Sequence, residues 1–388
     1  MKVVYVDNNA TTQVAPEVFE AIRPFLTDEY GNPSSMHTFG GKIAKYIEEA
    51  RKNVADLLDA DDPQEIIFTS CGTESDNTAI ISTLRSYPEK KHIITTKVEH
   101  PAVLNVCKYL EGIGYRVTYL SVDDQGLLDL NELKSAIDQD TALITIMYAN
   151  NETGVIFPIE EIAEIARQRG VVFHTDAVQT VGKIPFQLTK LPVDLLSLSG
   201  HKLHAPKGVG ALYIRKGTRF SPFMIGGHQE QGRRGGTENV SGIVGLGVAC
   251  QLAKKFIKEE NTRVKSLRDK LEKAILAKIP DTKVNGSLTS RLPNTTNIGF
   301  EFVEGEAILL MLDEFGIAAS SGSACTSGSL TPSHVLRAMG VPFTFVQGSI
   351  RFSLSRYNTE EDIDYIIDKL PTIINRLREI SPYGKTRH

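Results

Sequence analysis

Lys202 stands just past the apolar run Leu195-Leu196-Ser197-Leu198-Ser199, after a break at Gly200 and His201. An amine at the mouth of a buried strand is poorly solvated, which favours its neutral, nucleophilic form. That is the chemistry needed to form a Schiff base with an aldehyde cofactor. Taken alone, a strand-end lysine is more often an ordinary surface residue, so its neighbours decide. Asp176 follows the strand that ends near His174-Thr175. A carboxylate at a sheet's carboxyl edge can pair with a protonated ring nitrogen and hold the ring as an electron sink. It reads equally well as a turn aspartate. Gln179, one turn further on, can reach the same ligand.

Phe68 to Asp76 reads as strand, turn and helix start. Thr73 with Asp76 fits a capping box, and a helix N-terminus with free backbone N–H groups also binds phosphate. Gly72 lets the backbone approach an anion, and the Thr73 hydroxyl adds a donor. His100, before Pro101, caps the following helix or, at a ligand edge, stacks on an aromatic group and moves protons. Asn150 closes the strand before Glu152-Thr153-Gly154 and can bond a ring substituent or a carboxylate. The loop Gly226 to Thr237 is glycine-rich and holds Arg233 and Arg234. It reads as a flexible segment, a phosphate-binding loop or an intersubunit loop.

Ser320-Ser321-Gly322-Ser323-Ala324-Cys325-Thr326-Ser327-Gly328-Ser329 surrounds a cysteine with small polar residues. Such a segment buries little, so a mobile loop is expected. An exposed thiol on a tether suits nucleophilic attack and group transfer better than packing. Cys107 and Cys250 sit in helical apolar patterns and read as core, while Cys71 reads as lining the phosphate turn. Arg351 and Arg356 flank Phe352-Ser353-Leu354-Ser355; an arginine here can clamp a carboxylate bidentately or form a surface ion pair.

The elements that must position these groups alternate. Ile43, Ile47, Ala50, Val54, Leu57 and Leu58 recur at helical spacing. Short apolar strands at 65–68, 92–95, 116–120, 143–147 and 171–174 alternate with helices that start near Glu74, Pro101, Asn131 and Ile159. Repeated αβ units predict an α/β architecture, a mainly parallel sheet covered on both faces. Gly208 to Ile214 adds a strand near the end of that sheet. A helical connector runs from about Val240 to Lys278, and a smaller α+β region closes with a helix from Thr359 to about Ile380. The expected division is a large domain over 16–258 and a small one from 1–15 and 259–388, which carries the cysteine loop at about 320–331.

The bulk numbers exclude several classes. The 388 residues are 41% hydrophobic and 23% charged, and Lys+Arg 43 against Asp+Glu 47 gives a net charge of −4. No basic block points to nucleic acid as a direct partner. Apolar runs such as Ala142 to Met147 are too short to span a bilayer. Four separated cysteines give neither a zinc site nor a disulfide framework. The expectation is a reduced, cytoplasmic enzyme.

Together these segments resemble the pyridoxal-phosphate-dependent cysteine desulfurases of the NifS/IscS type, within the class V aminotransferases. The match covers nearly the whole chain, through Asp7-Asn8-Asn9-Ala10-Thr11-Thr12, Tyr30 to Ser35, Thr73-Glu74-Ser75, Glu99-His100, Asn150-Asn151-Glu152, Asp176 to Gln179, Ser199 to Lys202 and Ser321 to Cys325. The last two are the most specific. The resemblance implies an aspartate-aminotransferase-like fold (fold type I) and a homodimer with sites at the subunit interface. It implies that Lys202 holds pyridoxal 5'-phosphate covalently and moves protons, that Asp176 pairs with the ring nitrogen, that Gln179 bonds the ring oxygen and that His100 stacks on the ring. Gly72, Thr73, Ser199 and His201 would bind the phosphate, with Thr237 reaching in from the partner subunit. Arg356 and Asn150 would hold the substrate carboxylate.

L-cysteine would become L-alanine as Cys325 takes its sulfur to form a persulfide. An iron–sulfur scaffold protein would be the acceptor. No metal is expected in the active site, although Cys325 would transiently ligate a cluster with a scaffold partner. Selenocysteine lyase, another enzyme of this fold, and a non-catalytic sulfur-trafficking scaffold are the alternatives. Lys202 and Asp176 together argue against the scaffold.

Gly72 stands where the family commonly has alanine, and Gly235 where it has serine. The short tail after Ser381 leaves docking of a partner open.

Overall fold

The computed structural model describes residues 3–321 and 332–381. Strand β1 (Val4–Tyr5) lies apart from the main sheet. That sheet is built from β2 (Ile66–Thr69), β3 (His92–Thr96), β4 (Arg116–Leu120), β5 (Thr141–Thr145), β6 (Val172–Asp176), β7 (Leu195–Ser199) and β8 (Gly210–Ile214). Its order is β2-β8-β7-β6-β5-β3-β4. Strands β3 to β7 pair in parallel, and β8 runs antiparallel between β2 and β7. The fold is therefore the expected α/β type with one antiparallel strand.

The strands are apolar on both faces because helices cover both. Ile67, Ile93, Leu143, Leu195 and Leu212 face the helices Gly72–Ser86 and Pro101–Gly112, sharing a core with Ile80, Leu84, Val103 and Cys107. Their chain neighbours Ile66, Ile94, Ile144, Leu196 and Ala211 face the opposite core, with Val54, Leu58, Ile162 and Leu246. Period-two alternation thus splits each strand between two cores.

The helical run Val240–Lys278 is, among the described residues, the one stretch long and apolar enough to cross a membrane. Its apolar side is spent inside the fold: Ile243, Leu246, Ala249, Cys250 and Ala253 are buried. Gly247 lets it come so close to the helix Ala44–Leu58 that an added Cβ would lie 2.6 Å from Ala50 Cα. This run carries the chain to a second core. There β9 (Thr282–Val284), β10 (Thr295–Phe300) and β12 (Ser349–Ser353) form an antiparallel sheet ordered β12-β10-β9, and β11 (Ile317–Ala318) pairs with β1. Val4 and Val6 share this core with Leu271, Ile298, Phe352, Ile363 and Leu370. The N-terminal segment then crosses the carboxyl edge of the main sheet, where Thr12 N donates to His201 O.

Candidate functional site

The carboxyl ends of the parallel strands converge on one cavity of about 350 Å³. The strand order reverses between β3 and β5, and open α/β sheets gather ligands at such a switch point. Each strand end supplies a wall. Cys71, Gly72 and Thr73 follow β2, His100 follows β3, Met147, Ala149 and Asn151 follow β5, Asp176 and Gln179 close β6, and Ser199, His201 and Lys202 close β7.

At one end, the helix Gly72–Ser86 begins earlier than its sequence suggests. Its N-cap is Cys71, whose side chain makes no cap hydrogen bond. The expected Thr73–Asp76 capping box does not form, because Thr73 and Asp76 already lie within the first two turns. The leading N–H groups are left without a side-chain cap and border the cavity, together with the exposed Thr73. Opposite, the buried Ser199 Oγ has no hydrogen-bond partner among the described residues. A Cβ on Gly72 would sit 2.8 Å from Val178 Cγ2 and 3.4 Å from Ser199 Cβ, so glycine keeps this corner open. His201 shares a hydrogen bond with Thr11 Oγ1 at 3.1 Å, and burial, helped by Lys202, lowers its pKa to about 4. It is neutral at physiological pH.

At the other end, polar groups are tied down. Asp176 is buried and accepts from the Val178 N–H at 2.9 Å. Burial pushes its pKa up, while the Val178 N–H and Lys202 pull it back. Beside it Asp76 is held well above the usual carboxylate range by burial and by Asp176 itself. Glu99, fully buried, rises to about 8 for the same first reason, though it accepts from Met147 N at 3.0 Å and Thr96 Oγ1 at 2.8 Å. His100 Nδ1 accepts from Ala102 N–H at 3.1 Å, capping its helix while its ring borders the cavity. Burial lowers its pKa, so the ring is neutral with its proton on Nε2. Lys202 Nζ donates to the carbonyls of Asn9 and Ala10, each at 2.6 Å.

Ten of the expected site residues, Gly72, Thr73, His100, Asp176, Gln179, Ser199, His201 and Lys202 with Cys71 and Arg351, border this one cavity. Three expectations go elsewhere. Asn150 does not border it: its Oδ1 accepts from Glu152 N, Thr153 N and Thr153 Oγ1, and its Nδ2 donates to Val98 O, so its amide is consumed in closing the turn. Asn151 takes the place at the wall. Arg356 lies past the end of β12, where its guanidinium stacks on Phe256 and Tyr357. Arg351, inside β12, is the arginine at the cavity. It donates to Asp7 Oδ1 at 2.6 Å and Asn151 O at 2.9 Å, and its buried Nε has no partner among the described residues. Thr237 lies with Ser70 and Gly236 around a separate cavity. The glycine-rich loop's Arg234 is spent in a two-point pair with Glu74, at 2.7 and 3.0 Å. Cys325 lies outside the described residues.

The sequence assigns no role at the cavity to Asn9, Ala10 or Asp76, all at its wall. The run Asp7 to Thr12 was the available signal, since a polar segment following a strand must find partners somewhere.

Known proteins supply the remaining context. The aminotransferase class-V family profile matches residues 4–366. A cysteine desulfurase of Trichormus azollae is 64% identical over 383 residues, covering 99% of this chain and 96% of that protein. The cysteine desulfurase NifS of Azotobacter vinelandii is 58% identical over 380 residues, covering 98% and 94%. A solved NifS-like protein superposes with a TM-score of 0.91 at 42% identity, covering 97% of this chain and all of the other.

Proposed function

Because the chain belongs to the aminotransferase class-V family and acts as a cysteine desulfurase, we propose that this cavity holds pyridoxal 5'-phosphate on Lys202 and presents L-cysteine to the Cys325 thiol. The carrying observation is the convergence of a lysine, a buried carboxylate and an uncapped helix N-terminus on one strand-end cavity. The donor set fits the group. The unpartnered Ser199 hydroxyl, the uncapped amides at Gly72 and Thr73, and the space kept by Gly72 form an anion cradle. Asp176 supplies a carboxylate for a ring nitrogen, and Gln179 an amide for a ring oxygen. When bound, the cofactor supplies an electron sink for the substrate's α-carbon.

The chain's own residues do the rest. Lys202, half-buried and beside the neutral His100, takes a proton from the α-carbon and returns protons on the way to alanine. Lys202 and the Val178 N–H favour the anion of Asp176 against the burial that opposes it. Arg351 and Asn151 orient the substrate carboxylate, with the Arg351 Nε, unpartnered among the described residues, as the donor. The Cys325 thiolate attacks the substrate sulfur. An S–S bond forms as the substrate C–S bond breaks, so that cysteine plus enzyme thiol gives alanine plus enzyme persulfide.

The wider reading has an iron–sulfur scaffold receiving that sulfur in the cytoplasm. We assign residues 16–258 to cofactor binding and 1–15 with 259–388 to the smaller domain. A homodimer is supported by apolar side chains left in water: Tyr30 is 73% exposed and Ile225 82%. These flank loops that meet where Pro33 and Ser34 face Gly227 and His228. A dimer would also give Thr237, remote from its own chain's cavity, a site to serve.

Borohydride reduction followed by peptide mass spectrometry tests the core of this proposal. The pyridoxyl adduct is expected on Lys202, and L-cysteine is expected to yield alanine with a persulfide on Cys325. An adduct on another lysine, or alanine formation that survives Cys325→Ser, would overturn it.

A further inference from the structure

Lys183 has no part in the chemistry above, yet it is buried beside the site with 6% of its surface exposed. Its Nζ donates to Gln179 Oε1 and to Asn9 Oδ1, both at 3.1 Å. The far end of the same glutamine, Nε2, donates to the Asn9 carbonyl at 3.0 Å. A lysine ammonium only donates and a backbone carbonyl only accepts. Only one orientation of the Gln179 amide satisfies both, with oxygen toward Lys183 and nitrogen toward Asn9. The frame around it is fixed too. Asn9 Oδ1 also accepts from Asn294 Nδ2 at 3.1 Å, and Asn9 Nδ2 donates to Thr295 Oγ1 at 2.9 Å.

Gln179 borders the main cavity, whereas Lys183 borders a small one of about 20 Å³ behind it, with Glu260, Arg356 and the far side of Lys202. Lys183 thus acts on the main cavity through Gln179 and Asn9, both of which border it. An amide turned the other way would present its oxygen to a ligand oxygen and repel it; as held, a second N–H remains to donate.

We propose that Lys183 is a positioning residue that locks the Gln179 amide with its N–H, rather than its oxygen, toward the ring oxygen of the cofactor. This rests on the cofactor reading given above. Burial, with Lys202 and Arg351, lowers the Lys183 pKa to about 7, and Glu260 opposes that fall. The ammonium form can only donate and so enforces the lock, whereas a neutral amine can also accept and leaves the orientation to the Asn9 carbonyl.

The test uses the full chain loaded with pyridoxal phosphate and reads its visible absorption band against pH, alongside Tm. Lys183→Met is expected to shift the midpoint of the spectral titration by about one pH unit. Lys183→Met combined with Gln179→Ala should shift it no further than Gln179→Ala alone, since both act on one hydrogen bond. Should Lys183→Met fail to fold because buried Glu260 loses a nearby cation, the double variant Lys183→Met/Glu260→Gln removes that charge and should show the same shift. A wild-type titration in either Lys183 variant, with only Tm lowered, would overturn the proposal, as would additive shifts with Gln179→Ala. A wild-type protein with no cofactor band at all would instead sink the cofactor reading.

Discussion

The two ends of the cavity are built on opposite plans. Around Gly72 and Ser199 the donors are held ready but uncommitted: helix amides without a side-chain cap and a buried hydroxyl without a partner among the described residues. Around Asp176 and Gln179 the polar groups are engaged by the protein, through Val178 N, Asn9 and Lys183, with Asp76 Oδ1 the exception among the described residues. An end that gains its hydrogen bonds only from an anion supplies affinity. An end satisfied in advance supplies geometry, at no reorganisation cost during reaction.

That contrast can be broken by deleting one group from each plan. Asn9→Ala should cost the most, about 3 kcal/mol of folding stability, because Lys183, Asn294 and Thr295 would lose buried partners together. Urea denaturation of the cofactor-free protein measures it, and an unchanged midpoint would refute the pre-built plan. Arg351 stands between the two plans, with Nη atoms committed to Asp7 and Asn151 and Nε without a partner among the described residues. Arg351→Lys should raise KM for L-cysteine about thirtyfold through loss of the planar donor fork, while Arg356→Lys leaves KM within about twofold. Equal effects of the two would return the substrate carboxylate to Arg356.

Ser199→Ala should weaken cofactor binding about tenfold and leave the Tm of cofactor-free protein unchanged, since no protein partner is lost. Equilibrium dialysis with pyridoxal phosphate against thermal melts separates the two. A pH-dependent effect concerns Glu99, whose burial raises its pKa from 4.5 to about 8. Between those values the folded state binds a proton that the unfolded state releases, so stability falls as pH rises through this window. Glu99→Gln should remove a slope of about 1 kcal/mol per pH unit from that decline. A wild-type slope in the variant would mean that Glu99 is ionised in the fold.

The strand-end residues were legible because an open α/β sheet delivers every strand's carboxyl end to one edge. Asp176, Ser199 and Lys202 follow apolar runs whose ends can be read, and the glycine before Thr73 marks the turn. The helix start was misread for a physical reason. A Thr-x-x-Asp pattern looks like a cap, but Cys71 already has the extended backbone of the N-cap, at φ −174° and ψ 173°. Neighbouring candidates were harder still. Asn150 and Asn151 are chemically identical, and only the turn's N–H groups decide which amide closes it. Arg351 and Arg356 both belong to a strand and its exit, and pairing of Arg351 with Asn297 on β10 decides which one faces inward.

By itself, then, the sequence determined the layered α/β plan, the strand-end chemistry of Lys202 and Asp176, and the family to which they belong. Periodicity and local turn chemistry are properties of contiguous residues. Tertiary structure alone decided which asparagine and arginine meet the cavity, that Asp76 sits against Asp176, and that Asn9 ties Lys202, Gln179 and Lys183 together. Those contacts join segments a hundred residues or more apart, and a hydrogen bond depends on where its two ends lie in space.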